Sequence, residues 1–340
     1  LLLFLSFSAL SLFNSGPYLK ISLKALFLKW FEYVLIFVMV QDALGSKKKV
    51  YYAFFIFLAT SVFVGFDGLI QRQIGFDLLW QRPLQQLSSG LWAITATFNH
   101  RNGFGAYLLF PVVLFLSLLF QGKRRKLPQL GLGTAALLLL TCLMLTYSRG
   151  AWLGFCSAMF VLLLFSKQGK AFIGIFVGLF LLFLGSSPLF RDRLLFMFAS
   201  GGDADRFIYW KAAWDMIKVH PYLGSGLGTF MQYSIQYAPN VYEHYAHNCF
   251  LQIWAETGIF SLISFMGFIG ILLWRGISAL RTHQNPYILG IFCAICGFLV
   301  HSFFDVQFYS IQSSVLFWSM AGLLNGLLTK KSDPAFFANN

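Results

Sequence analysis

The sequence predicts an all-α polytopic membrane protein, with about ten spanning helices and a large external loop that holds a short amphipathic helix. Three observations point there. Only 11% of the 340 residues are charged and 58% are hydrophobic, whereas soluble domains carry roughly 25% charged residues. Apolar segments fall near 1–13, 22–40, 50–66, 104–120, 129–147, 150–166, 171–186, 248–274, 286–304 and 310–328; a helix needs roughly 17 to 25 such residues to cross a hydrocarbon core of about 30 Å. The basic residues crowd into alternate connections. Lys47, Lys48 and Lys49, the run Lys123-Arg124-Arg125-Lys126, Lys167 and Lys170, Arg275 and Arg281, and Lys330 and Lys331 share one side with only Asp42 and Asp333. Short loops rich in Lys and Arg mark the cytoplasmic face. The net charge of +13 therefore reports topology, and nucleic acid is not an expected partner.

The expected organisation is a single transmembrane domain over 1–340, with external loops at 67–103 and 187–247. Segment 1–13 lacks a basic n-region and a small-x-small cleavage site, so it is read as a helix and not as a signal peptide. Leu1 is not an initiator methionine, and a preceding N-terminal piece is expected. Lys20, Lys24 and Lys29 lie near the external end of segment 22–40, where they either snorkel to the interface or face lipid phosphate. In 67–103, Trp80 and Trp92 are headgroup-level anchors, and Asn99-His100-Arg101-Asn102 is either part of the same interfacial loop or a polar rim of an external cavity.

The next turn reads Thr146-Tyr147-Ser148-Arg149-Gly150-Ala151-Trp152 and lies outside. Arg149 gains nothing there from the charge rule. Either it faces a wet interior as a functional cation or it snorkels to headgroups.

Loop 187–247 balances Arg191, Arg193, Arg206, Lys211 and Lys218 against Asp192, Asp203, Asp205, Asp215 and Glu243, which excludes a polybasic membrane patch. Within it, 203–219 has Phe207, Trp210, Trp214 and Ile217 at spacings of three and four, as one apolar helical stripe requires. Asp203 or Asp205 would cap this helix and His220-Pro221 would end it. Arg206 then sits in the first turn, where the helix end favours an anion. Gly224-Ser225-Gly226-Leu227-Gly228 lacks the strand before it and the Lys-Ser or Lys-Thr after it that a phosphate-cradling loop needs, so a tight turn folding the loop back over the membrane is expected.

Glu243-His244-Tyr245-Ala246-His247-Asn248 precedes segment 248–274. Two histidines and a glutamate without a third well-spaced ligand do not make a zinc site, whereas a histidine within reach of a hydroxyl suits a general base. Glu256 reads as a satisfied intramembrane acid. The five cysteines lie in or beside apolar segments, and Cys293-x-x-Cys296 is read as packing. His301 and Asp305, four apart, could orient each other, orient His247, or tie the last two helices together.

Together, Thr146-Tyr147-Ser148-Arg149-Gly150-Ala151-Trp152-Leu153-Gly154, Arg206 with Trp210, the stretch 220–228, His247-Asn248 through Gly258, and 301–305 resemble the successive motifs of the O-antigen ligase and polymerase superfamily, over roughly 99–325. The resemblance implies a metal-independent, cofactor-free enzyme of the bacterial cytoplasmic membrane whose active site faces the periplasm. Such an enzyme takes a glycan from an undecaprenyl diphosphate-linked donor and passes it to lipid A core or another glycan or lipid acceptor. It further implies that Arg149 and Arg206 hold the diphosphate, that His247 activates the acceptor hydroxyl, and that Asp305 fills the late acidic position. Ser148, Asn248 and His301 join them as expected substrate-binding residues. The bottom-up chemistry agrees: a diphosphate leaving group needs cations, the hydroxyl needs a base, and attack opposite the diphosphate inverts the anomeric centre. A repeat-unit polymerase and a protein O-glycosyltransferase share this chemistry. A solute transporter, for example of bicarbonate, would require repeats and broken helices at the midplane, which are not evident.

Overall fold

A computed structural model describes residues 1–43, 46–87, 90–121, 126–166, 204–238, 245–282 and 285–330. Segment 171–186 lies outside them, as do Lys123, Arg124, Arg125, Lys167, Lys170, Arg191, Asp192, Arg193, Asp203, Glu243, His244, Lys331 and Asp333. Among the described residues five helices are long and apolar enough to cross a membrane: Lys48–Ile74, Arg101–Phe120, Cys249–Thr282, Pro286–Phe304 and Ile311–Thr329. The sequence predicted about ten. The expected segments at 129–147 and 150–166 coincide with shorter apolar helices, Gln129–Leu145 and Arg149–Phe165, and between them the chain turns at Tyr147 with a left-handed φ of 50°. The chain is nonetheless a multi-pass helical membrane protein, with strand confined to one two-residue pairing among the described residues.

Two compact units divide the chain. The first comprises Leu1–Leu35, Gly174–Leu272 and Ser302–Ile311. It contains α1 (Leu2–Leu10), α2 (Leu19–Ala25), which runs through a π-helical turn at Leu26–Phe31 into the start, as far as Leu35, of α3 (Glu32–Ala43), and further along the chain α8 (Ala204–Val219) and α9 (Phe230–Ser234). It also holds most of α10 (Cys249–Thr282) and a 3-10 turn at Gln307–Tyr309. Its apolar centre is aromatic. Phe4 meets Trp30 edge-on with centroids 5.0 Å apart, and Phe265 packs against Phe4 at 5.3 Å and Phe308 at 5.1 Å. Such tilted and edge-on pairs are what ring quadrupoles favour. A second cluster joins Ala213, Met216 and Ile217 of α8 to Phe230, Ala246 and Ala255.

The other unit comprises Ile36–Ile173, Leu273–His301 and Gln312–Asn340. It holds α4 (Lys47–Ile74), the antiparallel pair β1 (Gln85–Gln86) and β2 (Trp92–Ala93), α5 (Arg101–Gln121), α6 (Lys126–Leu145), α7 (Arg149–Phe165), nearly all of α11 (Pro286–Phe304) and α12 (Ile311–Lys330). α4 continues past the apolar segment that ends at 66, because its polar last turns find partners. Asp67 Oδ1 accepts the Leu78 N–H at 2.7 Å. Gln71 Oε1 accepts the Thr95 and Ala96 N–H groups, each at 2.8 Å, and its amide donates to Thr95 Oγ1 at 3.1 Å. Gly75, at φ 93°, then stops the helix. Gly154 and Gly297 let α7 and α11 touch at the backbone, since a Cβ on either would lie 2.5 Å from the other's carbonyl oxygen. Small residues serve such close helix crossings in membranes.

Candidate active site

His247 is fixed by its neighbours on both sides. Gln252 Oε1 accepts the Ala246 N–H at 3.0 Å. Asn248 Oδ1 accepts the N–H groups of Phe250 and Leu251, each at 3.0 Å, and so caps α10 by occupying donors that the first helical turn leaves unpaired. Between these two anchors His247 takes a left-handed φ of 49°. A residue with a Cβ is uncommon in that region and is held there by its surroundings.

The ring is fixed as well. His247 Nδ1 lies 3.3 Å from Asp305 Oδ1, with the two side chains 20% and 8% exposed. Of the roles left open for Asp305, contact with His247 is observed. Asp305 is held in turn: Oδ1 accepts the Val306 N–H at 2.8 Å, and Oδ2 accepts from Gln307 Nε2 at 3.1 Å. Its carbonyl accepts the Cys249 S–H at 3.2 Å, while the Phe308 N–H donates to the same sulfur. The opposing partner is Tyr209 of α8, whose ring centroid is 5.6 Å from that of His247.

Arg206 is in the first turn of α8, half-buried, one turn before Tyr209. Trp210 on the next position packs against Phe303, two residues before Asp305, at 6.0 Å. The beginning of α8 therefore lies along the backbone that carries Asp305. The expected apolar stripe of this helix is only partly right. Ile217 is buried, but Phe207 and Trp214 are exposed, and the face in the core is Tyr209, Ala212, Ala213, Met216 and Ile217. Two adjacent alanines allow close packing that a tryptophan would prevent, so side-chain volume overrides the spacing rule. The Asp203 cap lies outside the described residues.

The glycine-rich stretch docks into a break in α10. Gly258 has φ 79° and ψ 173°, which are not helical. The break removes helical hydrogen bonds, and the loop replaces them: Ser225 N–H donates to Ala255 O, Gly226 N–H to Glu256 O, and Ile259 N–H to Pro221 O, at 2.9, 2.9 and 3.0 Å. Only glycines fit. A Cβ on Gly258 would stand 2.0 Å from Tyr222 O, and one on Gly224 would stand 2.3 Å from Glu256 C. The stretch forms a tight turn, with α10 itself as its template.

Glu256, fully buried, is satisfied four times over. It accepts from Gly228 N and Tyr309 Oη on Oε2, and from Phe230 N and Gln252 Nε2 on Oε1. Burial and the adjacent Glu256 carboxylate hold the Tyr309 hydroxyl well above its ordinary pKa, so it stays a donor. Gln252 thus bridges Glu256 to the backbone beside His247. Gln252, Tyr209, Cys249 and Tyr309 were not anticipated. The i, i+4 spacing of two polar residues, Gln252 and Glu256, inside an apolar helix was the one available signal for this network.

Ser148, Arg149 and His301 belong to the other unit. Ser148 is buried at the start of α7, with its N–H on Thr146 Oγ1 at 3.2 Å. Arg149 opens α7 and is half-buried. Arg101, from the proposed polar rim, donates to the carbonyls of Thr146 and Tyr147 and so braces this turn. Trp152 Nε1 donates to Leu143 O at 3.1 Å. His301 is fully buried in the last turn of α11.

No curated protein matches the chain. A family model described as O-antigen ligase matches residues 134–266, a stretch that includes Ser148, Arg149, Arg206, His247, Asn248 and Gly258 and ends before His301 and Asp305. Over that stretch, less than half of its length, this multi-pass membrane protein is similar to the O-antigen ligase family.

Proposed function

We propose that this protein is an inverting, metal-independent membrane glycosyltransferase that moves a glycan from an undecaprenyl diphosphate-linked donor to an acceptor hydroxyl on the external side. The observation that supports this best is the His247 ring, set on a constrained backbone with Nδ1 against Asp305. With Nδ1–H donated to the carboxylate, the basic lone pair is on Nε2, the atom that takes the acceptor proton. The acceptor oxygen then forms its bond to the anomeric carbon as the bond to the diphosphate oxygen breaks. The diphosphate leaves with that electron pair, and its growing charge calls for guanidinium groups, for which Arg206 and, separately, Arg149 are the candidates. Ser148, Asn248 and His301 are the further candidates for binding substrate. Lipid A core is the favoured acceptor class; a second lipid-linked repeat unit would make the enzyme a polymerase instead.

The test is transfer by reconstituted protein supplied with lipid-linked donor and acceptor. His247→Ala and Arg206→Ala should each lower transfer by roughly 100-fold or more, the scale of a lost base or charge clamp, with membrane expression retained. Near-normal transfer by either variant would remove that residue from the mechanism. Mass spectrometry of the product separates ligation to a core from growth of a repeat-unit ladder.

A further inference from the structure

The outward face of α8 has the wrong composition for an aqueous loop. A helix in an external loop is expected to turn a polar face to water. α8 instead buries a small aliphatic face and exposes Phe207 (65%), Ile208 (42%), Trp214 (46%) and Val219 (56%), with Tyr222 (65%) just beyond its end. The charges interleaved on that side are Lys211 and Lys218, both well exposed, with Asp215 between them. Positions 207, 211, 214 and 218 lie on one stripe at steps of four, three and four. Aromatic rings and long-stemmed lysines therefore alternate along it.

This apolar surface does not end with α8. Tyr222 stacks on Phe260 of α10, centroids 6.1 Å apart at 23°, and Trp214 meets Trp254 of α10 edge-on at 5.6 Å. Phe260, Ile263, Met266 and Ile271 are exposed along α10, one of the helices able to cross the membrane. The aromatic face of α8 thus continues the surface on which α10 meets lipid.

We propose that α8 is an interfacial helix whose outward face docks on the outer surface of the same bilayer that the protein spans. Phe207, Trp214 and Tyr222 sit at headgroup depth, as interfacial aromatics do, and Lys211 and Lys218 extend their ammonium groups to lipid phosphates. The opposite face carries Tyr209, which contacts His247. Docking therefore fixes the level of the His247 ring relative to the membrane surface, where the diphosphate of any lipid-linked molecule lies. The docking itself does not depend on the reaction proposed above.

Nitroxide labels on Phe207→Cys, Trp214→Cys and Ile263→Cys would test this in the full chain, reconstituted in phosphatidylethanolamine and phosphatidylglycerol vesicles, with unlabelled-site protein as the background for native cysteines. Oxygen concentrates in lipid, and a nickel chelate stays in water. The labels at 207 and 214 should collide more with oxygen than with nickel, as the Ile263 label does, but at a shallower depth. Nickel collisions exceeding oxygen collisions at both sites would place the face in water and overturn the proposal. Exclusion of both reagents would mean that protein covers the face, and would overturn it equally. Because the readout is collisional, it stands or falls separately from any transfer assay.

Discussion

Asp305 and Glu256 are both buried carboxylates with several donors, yet substitution separates their contributions. Asp305→Asn keeps its oxygen at the Oδ1 position, shared by the Val306 N–H and His247 Nδ1, but loses the negative charge that stabilises the protonated His247 ring. Transfer should fall by roughly 100-fold or more, with the melting temperature of the solubilised protein little changed. Glu256→Gln should do the opposite. Its amide oxygen can retain Phe230 N–H and the Gln252 amide, and the Tyr309 hydroxyl can rotate to accept. The Gly228 N–H has no such alternative, and one buried donor left unpaired costs about 1–3 kcal/mol. Thermal unfolding would detect this, and an unshifted midpoint would contradict the four-donor arrangement.

At the level of elements, the break in α10 holds the loop that completes the site. Gly258→Ala adds a Cβ where Tyr222 O stands 2.0 Å away, at a φ of 79° that alanine rarely adopts. The substitution should favour a straight helix, in which Ile259 N–H returns to Ala255 O and the 220–228 stretch loses its template. Limited proteolysis should then cut within 220–228 far faster than in the unaltered protein. Gly267→Ala, where an added Cβ meets nothing within 4 Å, is the matched control and should leave the digestion pattern unchanged. The buried face of α8 makes a related point: Ala213 is legible as a helix former, but its place in the core follows from its packing with Phe230 and Ala255.

At the scale of the whole molecule, the distribution of lysine and arginine sets an orientation that can be measured directly. Gln236 and Lys48 are both exposed, and charge bias puts them on opposite sides. A membrane-impermeant maleimide should label Gln236→Cys in intact cells and Lys48→Cys only after permeabilisation. The reverse pattern would invert the topology and place His247 on the cytoplasmic face.

What the sequence determined by itself was of two kinds. Scarce charge and segment length established the membrane class, since the cost of exposing polar groups to hydrocarbon acts on every residue. Residue chemistry picked out His247, Arg206 and Arg149 as candidates, because few side chains can act as a base or hold an anion. Span number was less legible: five helices among the described residues are long and apolar enough to cross a membrane, and hydropathy does not register the π-helical turn at Leu26–Phe31 within segment 22–40. Only the tertiary structure decided that Asp305 reaches His247 across 58 positions of chain, that Gln252 and Glu256 secure the backbone beside it, and that Phe207 and Trp214 face outward. These depend on shape and on the pairing of particular buried donors with particular acceptors, which distant segments settle jointly and no local pattern encodes.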